Sequence, residues 1–272
     1  MYWYKVKNVL IILFAAINIF LIATIVIGNV EKNREEQRIS DSLIKVLENS
    51  NVKINGELIS TKAPKLNTKQ VENFITQDTD FASLILGGKA AVKFDGDGVL
   101  YYGFEEDKLY LANSRLHYYN SSFSGSGDTD AATVEKADAA LRKIGLPMED
   151  YRGELNGDTV IFTLYIDGVP FFGNNLNVKL FNGQIGELWG YIIKNTAFTG
   201  TPASIRSTAD VLLEFLQEPA RGTESITVTA LELGYSILEQ GSNIDFKTAD
   251  AVPTYRIQTD KGQIFYYDAR KN

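Results

Sequence analysis

TVIFTLYIDGVPFFGNNLNVKLFNGQIGELWGYIIK, running from Thr159 to Lys194, is the stretch whose pattern decides the fold class. Thr159–Ile166, Leu176–Phe181 and Gly186–Lys194 alternate apolar with polar residues or run apolar, as strands do. Asp167-Gly168 and Asn182-Gly183 punctuate them, and Asn-Gly favours a two-residue hairpin because both positions accept positive φ. Antiparallel strands follow from this reading. Just upstream, Val134, Ala137, Leu141 and Ile144 keep helical spacing, Gly145 supplies a left-handed stop and Pro147 bars continuation. Downstream, Ile205, Ala209, Leu212 and Leu216 share a face of a helix over Ser204–Leu216, with Ser207 and Asp210 as a capping pair and Pro219 as its stop. Strands return at Ile226–Leu238, Ala251–Gln258 and Gln263–Ala269, with a turn at Asp260-Lys261-Gly262.

Towards the N-terminus the same order recurs. Asn67 and Gln70 are spaced as a helix cap and its N3 partner, and Val71, Phe74 and Ile75 form an apolar face. The apolar run Phe81–Leu86 ends at Gly87-Gly88. Short strands are predicted at Lys89–Phe94, Gly98–Phe104, Lys108–Ala112 and Arg115–Tyr119. Ser121–Asp128, SSFSGSGD, has the composition of a linker. Helix-then-strand blocks opening near residues 67, 130 and 204 predict an α+β protein whose helices pack on antiparallel sheets. The expected division is a first α+β domain over 67–120, a linker over 121–130 and a second α+β domain over 131–272.

Before these lies Val9–Ile27, VLIILFAAINIFLIATIVI, which carries no charge and approaches the ~20 residues that a helix needs to cross a bilayer. A lone run of this kind is read as one spanning helix, here 9–28, after a cytoplasmic tail at 1–8. A cleaved signal would have a shorter apolar core, and Ile25-Val26-Ile27-Gly28-Asn29-Val30 lacks a small-x-small cleavage pattern. Lys5 and Lys7 precede the span, while Lys32, Arg34 and Arg38 follow it mixed with Glu31, Glu35 and Glu36. That balance favours an inside tail and extracytoplasmic domains. Residues 29–66 are expected to form a juxtamembrane helix and connector, the helix marked by Ile39, Leu43, Val46 and Leu47. Asn18 interrupts the span at its midpoint. Its amide either bonds a partner helix, worth ~0.6 to 2 kcal/mol, or turns back on its own backbone.

The formal charge is −7, and Lys5 and Lys7 are the charges of the first 28 residues, so the remainder is more acidic still. Nucleic acid is disfavoured as a partner. With no cysteine there is no disulfide, thiolate site, thiol nucleophile or lipid attachment. His117 is the single histidine, too few for an imidazole metal site, and no base accompanies a nucleophile elbow. Asp95-Gly96-Asp97-Gly98 opens like a calcium loop, but Tyr101 and Tyr102 break the ligand spacing, so a hairpin turn is expected. Gly125-Ser126-Gly127 lacks the lysine of a phosphate loop. Acidic residues are plentiful, yet none is marked as a glycosidase pair. Tyr101, Tyr102, Tyr110, Tyr118 and Tyr119 could line a carbohydrate-binding face or pack a sheet. No catalytic residue, metal or cofactor is expected.

Several separated pieces resemble one family. The start Met1-Tyr2-Trp3-Tyr4-Lys5-Val6-Lys7 and the span residues Asn18-Ile19-Phe20-Leu21 are similar to the N-terminus of the YycI (WalI) family. Leu233-Gly234-Tyr235, Pro253-Thr254-Tyr255-Arg256-Ile257 and Tyr266-Tyr267-Asp268-Ala269 resemble its later motifs, in matching order. Tyr255 stands where the family usually has Trp, Asp268 where it has Asn, and residues 89–160 match in pattern alone. The resemblance implies a YycH/YycI-like fold of two α+β domains behind a single anchor. It further implies a non-enzymatic regulator of the sensor histidine kinase YycG (WalK) in cell-wall homeostasis, paired with a YycH-like protein. Asn18, Ile19, Phe20 and Leu21 would then form the partner interface in the membrane. Two other classes stay open: an anchored module binding a cell-wall ligand, and a wall hydrolase.

Overall fold

The computed structural model describes residues 7, 14, 17, 18, 20, 21, 24, 34–60, 65–75, 79–88, 92–96, 99–237 and 246–271. In chain order the elements are helix α1 (34–49), strands β1 (Val52–Ile54) and β2 (Lys65–Asn73), helix α2 (Thr79–Ile85), strands β3 (Val92–Gly96), β4 (Val99–Phe104), β5 (Asp107–Ala112) and β6 (Arg115–Asn120), and helix α3 (Thr133–Lys143). Strands β7 (Tyr151–Asn156), β8 (Thr159–Ile166), β9 (Val169–Pro170), β10 (Leu176–Phe181), β11 (Gln184–Gly190) and β12 (Ile193–Ser204) follow, then helix α4 (Thr208–Phe215) and strands β13 (Ile226–Ser236), β14 (Thr248–Thr259) and β15 (Ile264–Asp268). The chain is α+β, and two compact units divide it: one of residues 1–63, 207–230 and 258–263, the other of 64–206, 231–257 and 264–272.

The larger unit is built on a nine-stranded sheet in the order β3-β4-β5-β6-β11-β10-β8-β7, with β9 paired to β8. Among the described residues all its strand pairings are antiparallel. Alternation gives the sheet an inner face of Tyr102, Leu109, Leu111, Leu116, Tyr118, Phe162, Val178 and Leu188, all buried. Phe81, Ala82 and Ile85 of α2 and Ala137 and Leu141 of α3 join the same core. Each such large side chain contributes ~1.5 to 3 kcal/mol on burial. The hairpin turns adopt the expected backbone: Asn182 and Gly183 have φ of 52° and 77°, and Asp167 and Gly168 of 52° and 82°.

Residues 67–75 form no helix. Residues 67–73 belong to β2, which pairs antiparallel with β12 on one side and β14 on the other. Two partner strands satisfy both edges of the backbone, and Val71 and Asn73 are buried with exposed Glu72 between them, which is the period of a strand. The Asn73 side chain then accepts from the Ile75 N–H (3.1 Å) and donates to its carbonyl (3.2 Å), closing the strand end. The helix comes later, as α2.

Residues 121–130 do not separate domains. Strand β6 before them and β11 after them lie side by side in one sheet. The stretch is itself docked: Phe123 stacks on Phe181 at 5.3 Å, and the Asp128 amide donates to the Leu180 carbonyl (2.7 Å). The Asp128 carboxylate accepts from the Asn182 and Gly183 amides (3.0 and 2.8 Å), capping the hairpin turn. Asp158 accepts the Gly127 N–H at 3.1 Å.

In the smaller unit, α1 buries Leu43 and Leu47 but leaves Ile39 and Val46 about half exposed, so the apolar stripe is only partly used. Strand β1 pairs in parallel with the start of β13, matching Val52 with Ile226. Helix α4 opens with the expected capping box between Ser207 and Asp210. Among the described residues no helix is long and apolar enough to cross a membrane. Most of Val9–Ile27 lies outside them. Phe14, Ile17, Asn18, Phe20, Leu21 and Thr24 are described, and each is helical.

Candidate functional site

Opposite the packed face of the nine-stranded sheet, alternation turns the intervening residues outward. The antiparallel register places Tyr101 beside Tyr110, Tyr110 beside His117, His117 beside Trp189 and Trp189 beside Asn177, a row crossing five strands. A second row aligns Lys108, Tyr119 and Glu187. Directly opposed residues on one face lie within side-chain reach. Ring centroids of Tyr101 and Tyr110 are 5.0 Å apart, those of Tyr110 and Tyr119 are 6.1 Å apart and nearly parallel, and His117 is 5.7 Å from Tyr119. His117 Nε2 lies 3.0 Å from Glu187 Oε1, with side chains 48% and 34% exposed. Hydrogen bonding to Tyr119 holds the Tyr110 hydroxyl above its usual range. Hydrogen bonding to Tyr101 does the same for the Lys108 ammonium.

This face deepens into an open cleft of about 720 Å³ lined by Tyr110, Arg115, His117, Asn175, Asn177, Glu187, Trp189 and Tyr191, among others. Its floor depends on Gly190. With φ at +125°, a Cβ there would sit 2.1 Å from the Asn175 carbonyl oxygen, so only glycine lets segment 173–175 pass this close. The Arg115 guanidinium lies over the Tyr191 ring at 4.7 Å. The Asn177 amide donates to the Trp189 carbonyl at 3.3 Å, and Asn175 Oδ1 accepts from Thr163 at 3.4 Å.

Chemically the cleft offers aromatic faces, the three amides of Asn113, Asn175 and Asn177, one guanidinium and one histidine–carboxylate pair. Among the described residues its lining holds no Ser, Thr or Cys beside His117, and Glu187 is the one carboxylate. Among the described residues no cluster of His, Cys, Asp and Glu could hold a metal. Of the five tyrosines singled out in the sequence, Tyr102 and Tyr118 are buried in the core, whereas Tyr101, Tyr110 and Tyr119 share the outer face. Burial, with a hydrogen bond donated to Asp107, pushes the Tyr118 hydroxyl far up.

The motif residues lie elsewhere and pack. Tyr235 is 1% exposed and donates to the Asn67 carbonyl at 3.0 Å; burial pushes its hydroxyl up to about 12. Gly234 is required by close approach, because a Cβ would stand 2.4 Å from the Phe172 ring and 2.5 Å from the Pro170 carbonyl. Tyr255, 2% exposed, donates to the Arg206 carbonyl at 3.0 Å. Pro253 is buried and its carbonyl accepts the Ala269 N–H at 3.0 Å, while Leu233 is half-buried. Asn18, Phe20 and Leu21 are exposed, and Trp3 and Ile19 lie outside the described residues. Trp189, Asn175, Asn177 and Arg115 were not singled out by sequence.

No family model matches the chain, and no curated protein matches its sequence. Among solved structures, YycH from Bacillus subtilis superimposes with a TM-score of 0.51 at 14% identity, over 76% of this chain and 53% of YycH. The fold is YycH-like. The chain thus spans about half the length of YycH. An uncharacterised protein from Eubacterium rectale is also similar, with a TM-score of 0.48 and 13% identity over 80% of this chain and 87% of its own.

Proposed function

We propose that the chain is a non-enzymatic, single-pass membrane protein, N-terminus inside, that regulates a sensor histidine kinase of the YycG (WalK) kind together with a YycH-like partner. The observation that carries this reading is a YycH-like fold over 76% of a chain that also begins with a charge-free run of spanning length and YycI-like motifs.

The mechanism is a population shift. A helix packed against the kinase's own helices changes signalling only if it binds one state better, and ~1.4 kcal/mol of preference gives a tenfold bias. Asn18, with Ile19, Phe20 and Leu21, orients that contact, since an amide at mid-bilayer is best satisfied by a neighbouring helix.

Photo-crosslinking probes placed along Leu13–Ala23 in native membranes test the reading, with captured partners identified by mass spectrometry. One helical face should capture the sensor kinase or the YycH-like protein, and Asn18→Leu should weaken the capture. Lipid adducts alone, from every position, overturn the proposal.

A further inference from the structure

We propose that the cleft on the outer face of the nine-stranded sheet binds a neutral oligosaccharide chain. This goes beyond the regulator reading and does not depend on it.

Three observations converge. The first is a platform of rings: Tyr110 in ring contact with Tyr101 on one side and Tyr119 on the other, and Trp189 two strands from Tyr110 in the same cross-strand row, about 10 Å away at ordinary strand spacing. Aromatic faces carry negative partial charge and attract the C–H faces of a pyranose, which present positive hydrogens. The second is the polar set around the rings. Asn175, Asn177, Arg115, His117 and Glu187 line the same cleft and supply both donors and acceptors, the requirement of a ligand bristling with hydroxyls and amides. Among the described residues the Asn175 side chain has one hydrogen bond, accepted at its oxygen, so its NH₂ is available. The third is shape and charge. The cleft is open rather than enclosed, which suits a stretch of polymer more than a small metabolite. Its formal charges balance, with Arg115 against Glu187, on a chain of net charge −7 that disfavours a polyanion.

The rings do not need a ligand to explain the core, because the sheet's other face already packs on α2 and α3. They form an outward surface with a glycine-dependent hollow at its centre. Trp189 is the principal platform, and Asn177 and Asn175 are the specificity groups.

The test uses the full-length chain in micelles of a sugar-free zwitterionic detergent. Hexamers of N-acetylglucosamine and of β-1,4-linked glucose are titrated in, with calorimetry and tryptophan fluorescence as readouts. Saturable binding of at least one hexamer is expected, and Trp189→Ala and Asn177→Ala should each weaken it about tenfold without changing far-ultraviolet circular dichroism. If Trp189→Ala fails to fold, Tyr110→Ala and Asn177→Ala decide. The proposal is overturned if neither hexamer binds saturably or if the foldable variants bind as well as the parent. Preference for a hyaluronan oligomer, or binding of a polyproline peptide in the sugars' place, also overturns it.

Discussion

Two regions of the larger unit divide its work in opposite ways. The strands bearing Leu233-Gly234-Tyr235 and Pro253-Thr254-Tyr255 carry segments that read as motifs in the sequence, and nearly all of these residues are buried against neighbours. The outer face of β5, β6, β11 and β10 carries none of those motifs, yet there the side chains open onto a cleft. Packing and surface chemistry thus reside in different residues. A segment held by close packing serves the fold; it need not mark a site.

The comparison can be broken from its packed side. Tyr235→Ala should cost about 3 to 5 kcal/mol, since it removes a buried ring and leaves the Asn67 carbonyl without its donor. Urea unfolding of the full-length chain measures this, and a loss below about 1 kcal/mol would remove Tyr235 from the core's essential contacts. Tyr255→Phe should cost less, about 1 kcal/mol, because the ring stays while the hydrogen bond to the Arg206 carbonyl is lost. The smallest effect concerns Asp158, whose carboxyl is held below its ordinary value first by the Gly127 N–H and then by Lys179. A depressed folded value means the stabilisation is present above the unfolded value of about 3.9 and fades as pH falls through the lower folded one. Stability of the parent over Asp158→Ala should therefore be greatest near neutrality and shrink below about pH 4. A gap that widens on acidification would contradict the assignment.

Much of the fold was legible because its signals are local. The Asn182-Gly183 turn, the left-handed Gly145 (φ 85°) and the Ser207–Asp210 capping box each depend on a few adjacent residues. What failed depended on distant partners. The pattern at 67–75 suits a helix in isolation, and only the flanking strands β12 and β14, more than a hundred residues away in sequence, make it a strand. The segment 121–128 has a linker's composition, but Asp128 and Phe123 find partners on a hairpin some fifty residues on.

The cleft was hidden by a single irregularity. A regular two-residue hairpin at Asn182-Gly183 pairs Phe181 with Gln184 and Leu180 with Ile185, and continuing that register would set Trp189 against Leu176, which faces the core. The register instead slips between Leu180 and Lys179, so that Lys179 meets Glu187 and Asn177 meets Trp189. Gly186 is the extra residue, and a Cβ there would collide with the Phe181 ring at 2.2 Å. One bulge turns Trp189 and Glu187 outward and Leu188 inward. Nothing in the local sequence announces it beyond a glycine in a strand.

The division between packed motif and open cleft is tested most directly by unfolding Gly234→Ala and Trp189→Ala side by side in urea, each in the full-length chain. Gly234→Ala should lose about 1 to 3 kcal/mol, because its Cβ has nowhere to go. Trp189→Ala, altering the rim of an open cleft, should lose less than about 1 kcal/mol. The reverse order, with Trp189→Ala the more damaging, would make the outer face part of the fold's support and contradict the account.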